Sequence, residues 1–101
     1  MRERRVSHRE HVKRLELRAR LKSKYGMTLE EYDRLLADQG EACACCKAKA
    51  PLVVDHCHET KRAVALLCSP CNVGLGIFRE NPARLELAIA YLRRVDKRIR
   101  A

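Results

Sequence analysis

The chain predicts a small α+β domain: a two-stranded hairpin set among helices and held by clustered cysteines. Three observations carry this expectation. Two Cys-x-x-C pairs, Cys43 with Cys46 and Cys68 with Cys71, stand with 21 residues between them. Two short aliphatic runs lie inside that interval, and segments with helical spacing and capping residues lie outside it. At 101 residues the chain buries a modest fraction of its surface, so a lone hairpin needs an added staple.

The elements follow in order. Residues 7 to 24 read as a helix, with Ser7 as N-cap, Glu10 three residues on, and Val12, Leu15, Leu17, Ala19 and Leu21 at helical spacings. Its apolar stripe is thin and the rest is basic. Gly26 breaks this helix, and a second begins at Thr28, with Glu31 completing a capping box and Leu29, Tyr32, Leu35 and Leu36 on one face until Gly40. "PLVVDHCH" and "AVALL" then read as two strands joined by the polar "ETKR". Ser69 and Pro70 open a short helix or turn. Asn81 caps a last helix that starts at Pro82 and carries Leu85, Ala88, Ile89, Leu92, Val95 and Ile99 as a sustained stripe. There are no internal repeats, low-complexity segments or linkers. The expected organisation is a basic helical arm over residues 1–24 and a zinc-clamped domain over 25–101 that ends in a basic helix.

The net charge of +9 is unevenly placed. Residues 1–24 hold ten Lys or Arg against three Glu, and residues 93–101 hold five against Asp96, whereas residues 25–92 carry a balance of −2. Basic ends around a nearly neutral middle suit the neutralisation of a polyanion such as DNA. A solvated helix surface kept for solubility is the plainer reading of the same charge. With four aromatic residues and no Trp, phosphate contacts rather than base stacking are expected to dominate. The first twenty residues contain no apolar run able to serve as a signal peptide or membrane span. A reducing, cytoplasmic setting is therefore expected, where clustered cysteines are more often metal ligands than disulfides.

Zinc takes four soft ligands in a tetrahedron, and two Cys-x-x-C knuckles bracketing a hairpin supply them with every position closed. Cys43, Cys46, Cys68 and Cys71 are thus the expected structural zinc ligands. Disulfides or unligated thiols are the alternative. Cys45 breaks the knuckle spacing and Cys57 has no knuckle partner, so both read as bystander thiols.

With zinc saturated by thiolates, His56 and His58 are left for other work. Spaced by two on a strand, they point to one face and into one cleft. Asp55 interrupts the apolar run beside His56, and Asn72 directly follows the last knuckle cysteine. A carboxylate and an amide oxygen are hard ligands that suit Mg²⁺ or Mn²⁺, and a neutral histidine beside such an ion can deprotonate a water for attack on phosphorus. Each residue also has a plainer reading: Asp55 as a turn cap, His58 as a surface residue, Asn72 as a helix-start residue satisfying backbone donors.

"CACC", "LVVDHCHET", "AVALLCSPCNVGLGIF" and "NPARLELAIAYL", with the lead-in "YGMTLEEYDRLLADQG", resemble the recombination endonuclease VII family. This is a branch of the HNH or His-Me finger (ββα-metal) nucleases, found largely in bacteriophages. The resemblance covers about residues 25 to 93. It implies a ββα-metal domain with zinc on Cys43, Cys46, Cys68 and Cys71, a catalytic divalent ion on Asp55 and Asn72, His56 as general base, and His58 at the scissile phosphate. The implied activity is metal-dependent phosphodiester hydrolysis leaving 5′-phosphate and 3′-hydroxyl ends, in branched-DNA or Holliday-junction resolution. Nicking of duplex DNA and a non-catalytic zinc-clamped DNA-binding module are the alternatives.

Two positions depart from the family pattern. Leu75 stands where the best-known member carries a glutamate, so that either the site relies on Asp55, Asn72 and the histidines or Glu59 or Glu80 approaches from elsewhere. Lys61 stands where a turn glycine is common. The family's resolvases dimerise through long helices beyond the motif, so a homodimer of this chain is expected to use its first helix, its last, or both.

Overall fold

The computed structural model describes residues 7–99, with side chains described for residues 7–95. The elements run α1 (His8–Tyr25), α2 (Leu29–Asp38), β1 (Leu52–His56), β2 (Ala63–Cys68), α3 (Ser69–Ile77) and α4 (Pro82–Ile99). The expected small α+β architecture is present. Arg2, Arg4, Arg5 and Arg100 of the basic ends lie outside the described residues, as do the side chains of Lys97, Arg98 and Ile99. The chain divides into two compact units, Met1–Cys68 and Ser69–Ala101.

In the first unit α1 starts at Ser7, whose hydroxyl oxygen accepts from the Glu10 N–H at 3.1 Å. It ends at Gly26, which adopts φ +61. The Gly26 N–H donates to Lys22 C=O and the Met27 N–H to Leu21 C=O, both at 3.1 Å, closing the last carbonyls in a turn that glycine enters without a Cβ penalty. Leu21 and Met27, at the two ends of this closure, are both buried, whereas Val12 and Leu15 are exposed. The thin stripe of α1 therefore anchors only its C-terminal end.

Helix α2 begins with the expected pair. The Thr28 hydroxyl oxygen accepts from the Glu31 N–H at 3.1 Å and its own O–H donates to the Glu31 carboxylate at 3.2 Å. In a full capping box that carboxylate reaches the N-cap backbone N–H instead. An ion pair between Arg14 and Asp33, 3.0 Å and half-exposed, links α1 to α2 and contributes little.

Strands β1 and β2 pair antiparallel, with Leu52 opposite Cys68, Val54 opposite Leu66 and Asp55 opposite Ala65. The register then shifts, so that His56 faces Ala63 and Val64 is the extra residue. Such a bulge bends the strand and increases its twist, and here it falls between Asp55 and His56. Leu66 and Leu67 are both buried although consecutive strand residues point to opposite faces, so both faces of β2 are covered there. Full burial of a leucine contributes about 1.5 to 3 kcal/mol. The seven buried apolar residues among those described, including Leu21, Met27, Cys43 and Leu66, all belong to this unit.

The outer edge of β2 is covered by a side chain. The Gln39 amide accepts the Leu66 N–H and donates to the Leu66 and Ala42 carbonyls, each at 2.9 Å, and the Ala44 N–H donates to Leu66 C=O at 3.1 Å. An amide carries one acceptor and two donors, so Gln39 serves as a one-residue strand where the sheet would otherwise end open.

In the second unit α3 begins at Ser69 itself, and α4 begins as expected, the Asn81 side-chain oxygen accepting from the Arg84 N–H at 3.2 Å. The apolar stripe of α4 is only partly covered. Leu85, Ala88 and Val95 are half-buried, while Ile89, Tyr91 and Leu92 are exposed and Leu87 is 72% exposed. Among the described residues no helix is long and apolar enough to cross a membrane.

Candidate functional site

The soft-ligand cluster is assembled by two turns of chain. After Gly40 and Glu41, both at positive φ, Cys43 enters a tight loop in which its N–H donates to Ala48 C=O at 2.9 Å and its C=O accepts from the Lys47 N–H at 3.0 Å. Lys47 adopts φ +67 to close it. Cys46 leaves this loop, Cys68 is the last residue of β2, and Cys71 lies in the first turn of α3.

The sulfurs of Cys43, Cys46, Cys68 and Cys71 lie within 4.8 Å of one another, and Cys46 and Cys68 are 3.7 Å apart. A tetrahedral zinc with bonds of about 2.3 Å sets its sulfurs about 3.8 Å apart, whereas a disulfide needs about 2.05 Å. The donor set fits zinc and leaves no open coordination position. Burial raises the Cys43 thiol, but this is outweighed by hydrogen bonds from the backbone of Cys46, Cys68 and Cys45 and from the Cys46 side chain, which bring it from 9.0 down to about 6. Two of these are N–H donors at 3.4 Å (Cys45) and 3.5 Å (Cys46). The sulfur is thus prepared as the thiolate that a metal requires. Cys45 contributes its N–H to the knuckle rather than its exposed thiol.

The histidines sit at the other end of the hairpin. His56 is the last residue of β1, and His58 lies in the turn over residues 58–60 rather than on a strand. Alternation along a strand therefore does not align them. The turn does: the ring centroids are 5.2 Å apart with planes inclined at 56°. Asp55 and His56 are half-buried and His58 is exposed.

The turn is closed by the Cys57 N–H donating to Arg62 C=O at 2.8 Å and the Lys61 N–H donating to Cys57 C=O at 2.7 Å. The Cys57 thiol is lowered by hydrogen bonds from the Thr60 hydroxyl first, then from the backbone of Thr60 and Glu59. Its position thus belongs to the turn and outside the metal cluster. Lys61 has φ +60, a left-handed conformation that glycine suits better.

Two groups around this site carried no expectation from sequence. Tyr25, the last residue of α1, places its ring centroid 5.5 Å from that of His56, with planes inclined at 44°. In sequence it is marked only as the aromatic residue before a helix-ending glycine. Gln39, which holds the strand leading to Cys68, reads in sequence as an ordinary polar helix end. Asn72 is half-buried in the first turn of α3, and Leu75 occupies a half-buried position in the same helix.

The family model described as recombination endonuclease VII matches residues 18–94. The Gene 59 protein of Mycobacterium phage D29 is 39% identical over 80 residues, covering 74% of this chain and 48% of that protein. The Gene 59 protein of Mycobacterium phage L5 is 37% identical over 78 residues, covering 72% and 48%. The chain thus spans about half the length of the curated relatives it matches. No solved structure matches it. With four thiols arranged for zinc around a bulged hairpin and a family match over most of its length, the chain belongs to the recombination endonuclease VII family.

Proposed function

We propose that the chain is a metal-dependent DNA endonuclease of the HNH (His-Me finger) type, a phosphodiester hydrolase acting on branched DNA such as a Holliday junction. The observation that carries this reading is the imidazole pair, His56 and His58 at 5.2 Å, directly following Asp55 at the bulged end of a hairpin clamped at its other end by thiols. Family membership supports the same chemistry.

In this reading Asp55 and Asn72 are the residues that would hold Mg²⁺ or Mn²⁺, their side-chain oxygens being hard donors that suit such an ion. The bound ion supplies charge stabilisation at the phosphoryl and leaving oxygens. His56 accepts a proton from the attacking water as the water oxygen bonds to phosphorus, the P–O3′ bond breaks, and the leaving 3′ oxygen takes a proton from solvent, giving a 5′-phosphate and a 3′-hydroxyl. His58, exposed in the turn, contacts the scissile phosphate. Residues 1–24 act as a basic arm on the DNA backbone and residues 25–101 carry the chemistry. The paired cuts of resolution need two such sites, so the reading includes a homodimer, for which the exposed Leu87, Ile89 and Leu92 of α4 offer apolar surface.

The test is cleavage of supercoiled plasmid and of a four-way junction with Mg²⁺, wild type against His56→Ala. Wild type is expected to cut and the variant to lose roughly 10²- to 10⁴-fold in rate. Equal outcomes for the two proteins sink the role of His56. Nicking of the plasmid with no preference for the junction replaces resolution with duplex cutting. Binding without cutting identifies a DNA-binding module.

A further inference from the structure

We infer that Tyr25 is a positioning residue for His56, holding the imidazole at the angle from which it takes a proton. The inference rests on the nuclease reading of His56. Histidine χ2 joins an sp³ to an sp² centre and has a broad, roughly two-fold profile, so the covalent geometry of His56 does not set the plane of its ring. A general base must nevertheless keep its lone pair within hydrogen-bond reach of one water. Groups packed against the ring can set that plane.

Two neighbours are present. His58 lies 5.2 Å away, but it is exposed and sits on a turn. Tyr25 lies 5.5 Å away in a tilted arrangement, within the 4.5–7 Å separation that aromatic pairs favour. Its mount is the firmer of the two. It is fixed as the last helical residue by the Gly26 and Met27 bonds back to Lys22 and Leu21, and the buried Leu21 and Met27 lie on either side of it in sequence.

Tyr25 is not core filling. It is half-buried and borders two open grooves, one of about 330 Å³ with Glu31 and Arg62, the other lined by the apolar Leu17, Leu21, Leu52 and Val54 as well as by Arg20 and Lys24. Removing its ring opens no closed cavity, so the fold should survive substitution while His56 loses a wall. The contact to His56 is made by the ring, so phenylalanine should replace tyrosine and leucine should not.

The experiment compares Tyr25→Leu and Tyr25→Phe with wild type, in the full zinc-loaded chain, by single-turnover cleavage and by DNA affinity. It repeats Tyr25→Leu in a His56→Ala background. Tyr25→Leu is expected to slow cleavage roughly 10- to 100-fold, the scale of a small misplacement, with affinity unchanged. Tyr25→Phe restores the rate, and Tyr25→Leu costs nothing once His56 is gone, because the two residues act as one unit. An undiminished rate in Tyr25→Leu, or an equal loss in both backgrounds, overturns the inference.

An arm without activity uses the NMR resonances of the His56 ring protons. They are expected to shift in Tyr25→Leu through loss of ring current and to stay in place in Tyr25→Phe. Unmoved resonances in Tyr25→Leu overturn the inference, and this arm decides where the His56→Ala background is too slow to read. A wild type that fails to cut any DNA counts against the nuclease reading, while the resonances still report the ring contact.

Discussion

At the scale of single residues, lysines occupy two positions where the backbone asks for glycine. Lys47 closes the first cysteine knuckle at φ +67, and Lys61 closes the hairpin turn at φ +60. A side chain in this region costs roughly 1 to 2 kcal/mol, from the closeness of Cβ to the following carbonyl. Glycine avoids that cost but gives up more chain entropy on folding, so the net difference is smaller. Lys61→Gly is therefore expected to stabilise the zinc-loaded chain by about 0.5 to 1 kcal/mol, read as a higher midpoint of urea unfolding. A lower midpoint indicates that the lysine side chain makes a stabilising contact in the turn. At Lys61, where a turn glycine is common, the backbone is left-handed all the same and the chain bears the strain.

At the scale of elements, the hairpin is completed by neighbours along the outer edge of β2. The backbone of its buried residue Leu66 is met by Gln39, whose amide bonds both the N–H and the C=O, and Ala44 adds a further N–H to the same carbonyl. Gln39→Ala leaves the Leu66 carbonyl a partner but strands the buried Leu66 N–H. The expected loss is about 1 to 3 kcal/mol in chemical denaturation, the cost of one unsatisfied buried donor. An unchanged midpoint would mean that water or a shifted backbone replaces the amide. Helix α1 likewise does more than carry charge, since its closure at Gly26 buries Leu21 and Met27 and delivers Tyr25 to His56.

At the scale of the whole molecule, stability is concentrated around the cysteines. Cys43 and Cys68 belong to the small set of buried residues, and Cys68 is also the end of the buried strand. A structural zinc in such a cluster contributes on the order of 10 kcal/mol or more at neutral pH, comparable to the entire stability of a small domain. Cys68→Ser is thus expected to unfold the protein, seen as loss of the far-ultraviolet circular dichroism signal and of bound zinc. Cys45→Ser, which keeps the backbone N–H that the knuckle uses, should remain folded with one zinc per chain by metal analysis. Loss of that zinc in Cys45→Ser overturns the ligand assignment.

Much of this was legible before any coordinates. Ser7, Thr28 and Asn81 cap helices as read, because a cap is a bond between residues three apart and needs no tertiary context. The Cys-x-x-C spacing likewise encodes its own geometry, and the four thiols converge as expected. The arrangement around the histidines was not legible. Strand alternation does not reach His58, because the strand ends at His56 and the turn sets the ring contact. The bulge between Asp55 and His56, the Gln39 amide on Leu66 and the Tyr25 ring on His56 join residues distant in sequence or depend on the register of two strands. Local spacing determined the helices, the hairpin and the metal ligands by itself. Only tertiary structure decided what surrounds His56, because those contacts follow from how separate elements pack, which no local pattern records.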